Sequence, residues 1–61
     1  MKYAAVIYDY YNVVIRVEER PTEERAIRAG QFYTRLKNCN GAWYRVVSGD
    51  DVEFYKALIN A

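Results

Sequence analysis

The chain lacks the residues for an internal cross-link that would stabilise a small fold. Its 61 residues include one cysteine, Cys39, and no histidine, so they supply neither an internal disulfide nor a zinc site. A chain of this length buries only about 60% of its unfolded surface, and hydrophobic burial then barely exceeds the entropy of ordering. Residues 1–61 are therefore predicted to form a single domain that depends on good packing or on association with another surface.

Tyrosine is unusually frequent in this chain. There are seven tyrosines, and four fall among the first eleven residues, at Tyr3, Tyr8, Tyr10 and Tyr11. A tyrosine ring is large and stiff with a polar tip, which suits surfaces that contact another molecule. Because histidine is the commonest general base and the commonest metal ligand, its absence argues against chemistry. The composition predicts a binding protein with no cofactor.

The charges are nearly balanced. Nine basic and eight acidic side chains give a net charge of +1, which argues against holding duplex DNA by overall electrostatic attraction. Contact with nucleic acid would have to depend on a local patch. No apolar run is long enough to span a membrane, and no signal peptide is recognisable. Together with the lone cysteine, these features favour the cytoplasm.

The first twenty residues predict an antiparallel hairpin. Residues 2–9 and 12–19 are rich in β-branched and aromatic side chains, which is typical of strands. Between them, Asp9 and Asn12 favour a tight turn through side-chain bonds to the backbone. The first strand is apolar on both faces, so it is either a central strand or part of an interface. Apolar and polar side chains alternate along the second strand, which predicts one buried face and one solvated face. The face predicted to be buried carries Val13, Ile15 and Val17, and the other face carries Val14, Arg16 and Glu18.

The rest of the chain predicts two helices and a third strand. After Pro21, Thr22 is a suitable N-cap, and the helix runs to about Lys37 or Asn38, before a left-handed stop at Asn40-Gly41. Residues 42–47 predict a strand and residues 51–60 a helix, with Asp50 and Glu53 as a capping box. The predicted fold is α+β: a small antiparallel three-stranded sheet with two helices on one face, in the order β-β-α-β-α.

The hairpin turn is the first candidate contact site. Tyr10 and Tyr11 are adjacent in it, and both cannot point inward from a tight turn. Adjacent large aromatics at a turn are less common than a single exposed apolar residue. The alternative is that one of the two tyrosines folds back over the sheet edge.

The long helix supplies a second candidate. Arg25, Arg28, Phe32 and Arg35 are spaced to form one ridge on it. Such a ridge can clamp phosphates, stack bases or meet an acidic protein surface. The alternative is a solvated face, with Glu24 pairing Arg28 and Phe32 filling the edge of the core.

The third strand supplies another candidate. If Tyr44 and Val46 face the helices, Trp43 and Arg45 lie on the other side of the sheet. With Val14 and Arg16 they would form an open face rich in the residue types that dominate interfaces. A slip of one residue in register would instead place Trp43 in the core.

Catalytic groups have no recognisable arrangement in this sequence. The acidic residues show no metal-binding or acid/base spacing, and neither Cys39 nor Ser48 has a histidine to activate it. The sequence therefore predicts that the protein is not an enzyme.

The organisation of the chain resembles that of small phage-encoded anti-CRISPR proteins over roughly residues 2–46. The shared features are an N-terminal Met-Lys before a strand hairpin, a helix start at residues 22–26, and Cys39, Gly41 and Arg45 around the next strand. The resemblance implies a protein that occupies a nucleic-acid-binding or subunit surface on a larger complex. It assigns no role to any individual residue.

Together these patterns predict a small non-enzymatic protein that binds a protein complex of a host, as an inhibitor of its defence. One alternative is a nucleic-acid-binding module that uses the sheet aromatics and the helix arginines. Another is a homodimer closed by the aromatic face. The predicted contact residues are Tyr10, Tyr11, Arg16, Trp43, Arg45, Arg25, Arg28, Phe32 and Arg35.

Overall fold

The structure, a computed structural model, describes residues 2–36 and 41–60. Its elements in chain order are β1 (Tyr3–Tyr8), β2 (Val14–Arg20), α1 (Glu23–Leu36), β3 (Trp43–Ser48) and α2 (Asp50–Asn60). The predicted α+β class and the order β-β-α-β-α are confirmed. The helix end expected at Lys37 or Asn38, Asn40 of the predicted stop and the predictions about Cys39 lie outside the described residues.

The central strand of the sheet is β1. The order is β2-β1-β3, and both pairs are antiparallel. Residues Ala4 to Ile7 of β1 are at most 2% exposed. A strand that is apolar on both faces needs cover on both faces, so the central position predicted as one alternative is confirmed.

The two helices lie on opposite faces of the sheet. One core cluster joins β1 to α2 and β3, through Ala4, Val6, Tyr8, Val47 and Val52. The other joins β1 to α1, through Ala5, Ile7 and Ala29. Because successive side chains of a strand point to opposite faces, α1 and α2 cannot share one. The expectation of both helices on one face is therefore wrong, since that arrangement would leave the other face of β1 exposed to water.

Small residues bring α1 close to the sheet. The N-cap prediction is confirmed, because Thr22 Oγ1 accepts a hydrogen bond from the backbone N–H of Arg25 at 3.2 Å. Ala26 and Ala29 are buried in the face that meets the sheet. A Cβ built on Gly30 would lie 2.8 Å or less from three ring atoms of Tyr44. Only glycine allows this approach, so the packing of α1 depends on that position.

The start of α2 differs from the prediction. The helix includes Asp50, and the carbonyl of Gly49 accepts a hydrogen bond from the N–H of Val52 at 3.1 Å. Asp50 is therefore inside the first turn, and the predicted capping box is wrong. Glu53 instead pairs with Lys2 at 2.7 Å, which ties α2 to the start of the sheet. Neither helix, over its described residues, is long and apolar enough to cross a membrane.

A β-bulge divides β2 into two parts. Ile7 lies opposite Arg16, whereas Tyr8 lies opposite Val14, so Ile15 is an extra residue without a partner on β1. A bulge reverses the alternation of side chains across it. Val14 therefore joins the α2 face, and Arg16 lies on the α1 face. The predicted strict alternation, which placed Val14 and Arg16 together, is wrong.

Candidate functional site

The hairpin turn is held by the carboxylate of Asp9. This group accepts hydrogen bonds from the backbone N–H of Tyr11 at 2.8 Å and of Val13 at 3.0 Å. The Asp9 carbonyl accepts a further bond from the N–H of Asn12 at 3.0 Å, and Asn12 takes a left-handed φ of 64°. The predicted turn is confirmed with Asp9 as its side-chain acceptor, whereas the side chain of Asn12 bonds to Trp43 and not to the backbone of the turn. Its backbone is fixed by bonds within the protein and needs no partner to order it.

Tyr10 and Tyr11 are both exposed at this turn. Their side chains are 70% and 79% exposed, and their rings meet edge to face with centroids 5.2 Å apart. Tyr10 also leans on Gly41, where a φ of 86° and the absence of a side chain leave room for its ring. Neither tyrosine folds into the core, in agreement with the predicted exposed aromatic turn.

Trp43 extends this aromatic group onto the sheet. Its ring stacks on Tyr8 with centroids 4.1 Å apart and planes 7° from parallel. Its indole N–H donates to Asn12 Oδ1 at 3.0 Å, yet the side chain is still 41% exposed. We call Tyr8, Tyr10, Tyr11, Asn12 and Trp43 the aromatic end of the sheet.

The hydroxyl group of Tyr8 fixes the ring on which Trp43 stacks. Burial, and then the hydrogen bond to Tyr55, raise the pKa of Tyr8 above its ordinary value, while Arg45 acts in the opposite direction. The Tyr8 hydroxyl donates to the Tyr55 hydroxyl across 3.4 Å. Tyr8 is therefore neutral at physiological pH and anchored to α2, so Trp43 rests on a fixed ring.

The predicted open sheet face exists only at this end. Of the two registers considered, the one that leaves Trp43 outside the core is confirmed, because Tyr44 packs in the α1 cluster and Trp43 stacks on Tyr8 on the opposite face. Farther along the same face, however, Val47 is buried against Val52 of α2. The prediction of a broad open face is therefore wrong in extent, since α2 covers the other half of that face.

Arg16 lies apart from Trp43. Its guanidinium carbon is 4.2 Å from the ring centroid of Tyr33 on α1, and one N–H donates to the Tyr33 hydroxyl at 3.3 Å. Its hydrogen bond to Glu18 is the main cause that raises its pKa. The predicted grouping of Arg16 with Trp43 is wrong, because the bulge at Ile15 moves Arg16 to the other face.

The ridge on α1 is exposed along its length. Arg25, Arg28 and Arg35 are exposed, and Phe32 is 56% exposed with its ring edge-on to Tyr33. Arg28 pairs with Glu24 at 2.9 Å, as the alternative interpretation predicted. That interpretation is wrong about Phe32, which does not fill the core edge.

The nine predicted contact residues therefore separate into two surfaces. Four lie at or beside the aromatic end: Tyr10, Tyr11, Trp43 and Arg45. Five lie on the α1 side: Arg16, Arg25, Arg28, Phe32 and Arg35. Sequence reasoning did not identify the bond between Asn12 and Trp43, because the two residues are 31 positions apart and no local pattern joins them.

The described part of the chain contains no cluster of three or more cysteine, aspartate or glutamate side chains placed to hold a metal ion. Comparison with family models, with curated proteins and with solved structures finds no match to this chain.

Proposed function

We propose that this is a small non-catalytic protein that binds another protein through its aromatic end. One observation supports this above all others. Tyr10 and Tyr11 are adjacent, 70% and 79% exposed, and held on a turn that the Asp9 carboxylate fixes. Scattered exposed apolar residues are normal on a protein surface. Two large aromatic side chains presented side by side on an ordered turn indicate a contact surface.

The aromatic end is ordered before any partner binds. Tyrosine and tryptophan are enriched among the residues that dominate binding energy. Ordering a mobile side chain at an interface costs about 0.5–1.5 kcal/mol. Here the stack on Tyr8 and the bond from Trp43 to Asn12 already restrain the indole ring. Much of that cost is therefore absent for Trp43.

Arg45 gives this surface a charge. It is exposed and lies two residues beyond Trp43 on the same face of β3, opposite Val6 of the central strand. A cationic group beside aromatic anchors orients an approaching acidic surface and increases the rate of association. The partner surface that fits is an apolar pocket with a carboxylate nearby.

The class of target is proposed from the organisation of the chain. Because this organisation resembles that of anti-CRISPR proteins, we propose a subunit of a bacterial defence complex as the target, with inhibition as the outcome of binding. Such a complex works in the cytoplasm, which is where we propose that the protein acts.

Capture experiments with matched variants test the proposal. The wild-type protein, a Tyr10→Ala/Tyr11→Ala variant and a Phe54→Ala variant are immobilised and exposed to a bacterial lysate that contains a defence complex. Phe54 is a suitable control because it is 61% exposed on α2, outside the aromatic end. Circular dichroism checks that all three are folded.

We expect a subunit of the complex to be retained by the wild type and by Phe54→Ala but lost by the double variant. With the purified subunit, the double variant should weaken binding by at least about thirtyfold, because one interface hot spot contributes about 2 kcal/mol or more. Equal retention by both variants, or no specific retention by the wild type, would contradict the proposal.

Self-association is the alternative use of the same surface. Sedimentation velocity over a wide concentration range tests it with the same variants. A dimer that forms in the wild type and is lost in Tyr10→Ala/Tyr11→Ala would identify a second copy of this chain as the partner in place of a host protein.

A further inference from the structure

The basic residues are unevenly distributed over the molecule. Five of the nine gather on the α1 side, namely Arg16, Arg20, Arg25, Arg28 and Arg35. On the α2 side, Lys2 and Lys56 are paired with Glu53 and Glu19. We call the five arginines, with Phe32 and Tyr33, the arginine surface. A net charge of +1 therefore conceals a local positive region.

Two adjoining grooves cross this surface. One lies between α1 and the end of β2 and is lined by Arg20, Arg25, Arg28, Ala29, Phe32 and Tyr33. The other continues along α1 and is lined by Arg28, Gln31, Phe32 and Arg35. Because Arg28 and Phe32 line both, the two grooves adjoin at these side chains, and we call them together the track. Residues 25–35 of a helix span about 15 Å, so the track is long enough for several charged groups in a row.

The arginines of α1 are available to a ligand. Among the described residues, no carboxylate lies within 4.0 Å of Arg25 or Arg35. Arg28 pairs with Glu24, but the side chains of this pair are 74% and 75% exposed. Exposed pairs of this kind contribute about 0.3–0.5 kcal/mol. An incoming phosphate can therefore take the place of Glu24 with little loss.

The other two arginines form the border of the surface. Arg16 and Arg20 both pair with Glu18, and Arg16 rests on the ring of Tyr33. Their charge is partly neutralised, so we expect the three arginines of α1 to make the main ionic contacts.

We propose that the arginine surface binds single-stranded nucleic acid, independently of the aromatic end. The guanidinium groups of Arg25, Arg28 and Arg35 would hold successive phosphates, which suit their planar fork of donors. A base would stack on Phe32, whose exposed ring lies between the arginines. Stacking requires an unpaired base, and this favours a single strand over a duplex.

Fluorescence anisotropy with the full chain and a labelled oligothymidine tests the proposal. We expect binding that weakens with salt with a slope of about −2 in log K against log salt, because each phosphate contact contributes about −0.7 for single strands. A labelled duplex of the same length should bind more weakly, because its bases are not free to stack.

Two matched pairs of variants distinguish binding at particular residues of the track from general electrostatic attraction between the protein and the oligonucleotide. Arg25→Ala should weaken binding and reduce the salt slope by about 0.7, while Arg45→Ala, which removes the same charge from the other sheet face, should leave the slope unchanged. Phe32→Ala should weaken binding about tenfold with the slope preserved, whereas Phe54→Ala should have no effect.

Three results would overturn the proposal. One is the absence of any anisotropy change at low salt. Another is an equal effect of Arg25→Ala and Arg45→Ala, which would indicate attraction by net charge alone. The last is equally tight binding of a polyglutamate peptide, which would identify an acidic protein segment as the ligand. Binding that persists in Tyr10→Ala/Tyr11→Ala would show that this surface acts separately from the aromatic end.

Discussion

Gly30 is the position where α1 approaches the sheet most closely, and we predict that Gly30→Ala destabilises the protein. The new Cβ would lie 2.8 Å or less from Cγ, Cδ2 and Cε2 of Tyr44, closer than real Cβ atoms come to other atoms. The Tyr44 ring packs with Ile7 in the core cluster under α1. Because the ring is partly buried against that cluster, moving it away from Gly30 would cost some of this packing.

The expected magnitude is the difference between two opposing effects. Replacing glycine by alanine inside a helix is favourable by about 0.8–1.0 kcal/mol. Inserting a methyl group into packed surroundings costs about 1–3 kcal/mol. Because the methyl meets three atoms of a ring that packs in the core, we take the upper part of this range. The net loss should be about 1–2 kcal/mol, or about 5–15 °C in Tm for a domain of this size.

Urea unfolding followed by the emission of Trp43, the single tryptophan, and by far-UV circular dichroism measures this change. We expect a lower midpoint with an unchanged m value, which is the signature of altered stability alone. A double-mutant cycle supplies the control. In a Tyr44→Ala background, where the ring atoms are absent, Gly30→Ala should become stabilising by about 1 kcal/mol.

Either of two outcomes would refute this reasoning. If Gly30→Ala raises the midpoint in the wild-type background, the helix does not need glycine to reach the sheet. If the cycle shows no coupling between the two substitutions, the loss of stability arises from a contact other than the one with Tyr44.

Three further predictions concern the turn carboxylate of Asp9, the ion pair between Glu53 and Lys2, and the phenol of Tyr8. Asp9→Ala should lower the free energy of unfolding by about 1–2 kcal/mol, because two backbone donors of the turn lose their acceptor; an unchanged urea midpoint would contradict this. The bond and attraction to Lys2 lower the pKa of Glu53, so its contribution to stability is present above its ordinary pKa of 4.5 and is lost as pH falls through the lowered value. Glu53→Gln should therefore flatten the acid limb of the stability curve, and an identical limb in both proteins would exclude this pair as its cause. Burial, and then the bond to Tyr55, raise the pKa of Tyr8 above 10.0, so in an alkaline absorbance titration Tyr8→Phe should remove a transition above pH 10.0; loss of a transition at or below that pH would show that Tyr8 is not shielded.

Features set by neighbouring residues could be predicted from the sequence. The hairpin turn follows from Asp9, whose carboxylate accepts bonds from nearby backbone N–H groups, and from Asn12, which takes the left-handed conformation that the turn requires. The start of α1 follows from Thr22, whose hydroxyl reaches the N–H of Arg25. In each case the physical cause acts within one segment, so the order of residues is enough to reveal it.

The candidate surfaces could be predicted only in part. The exposed tyrosines at the turn and the arginine ridge on α1 were identifiable, because a tight turn and a helical spacing each expose particular positions. The location of these residues on two separate surfaces could not be predicted. It depends on the bulge at Ile15, which moves Arg16 to the α1 face, and on α2, which covers the face beyond Trp43.

By itself the sequence determined the five elements and the hairpin, because caps, turns and alternation are local interactions. The tertiary structure alone decided that the helices take opposite faces, that Asn12 holds Trp43, and that Gly30 receives the Tyr44 ring. These contacts join residues far apart in the chain. Their formation depends on which faces of the sheet remain exposed once the strands have paired, and this cannot be read from a local pattern of residues.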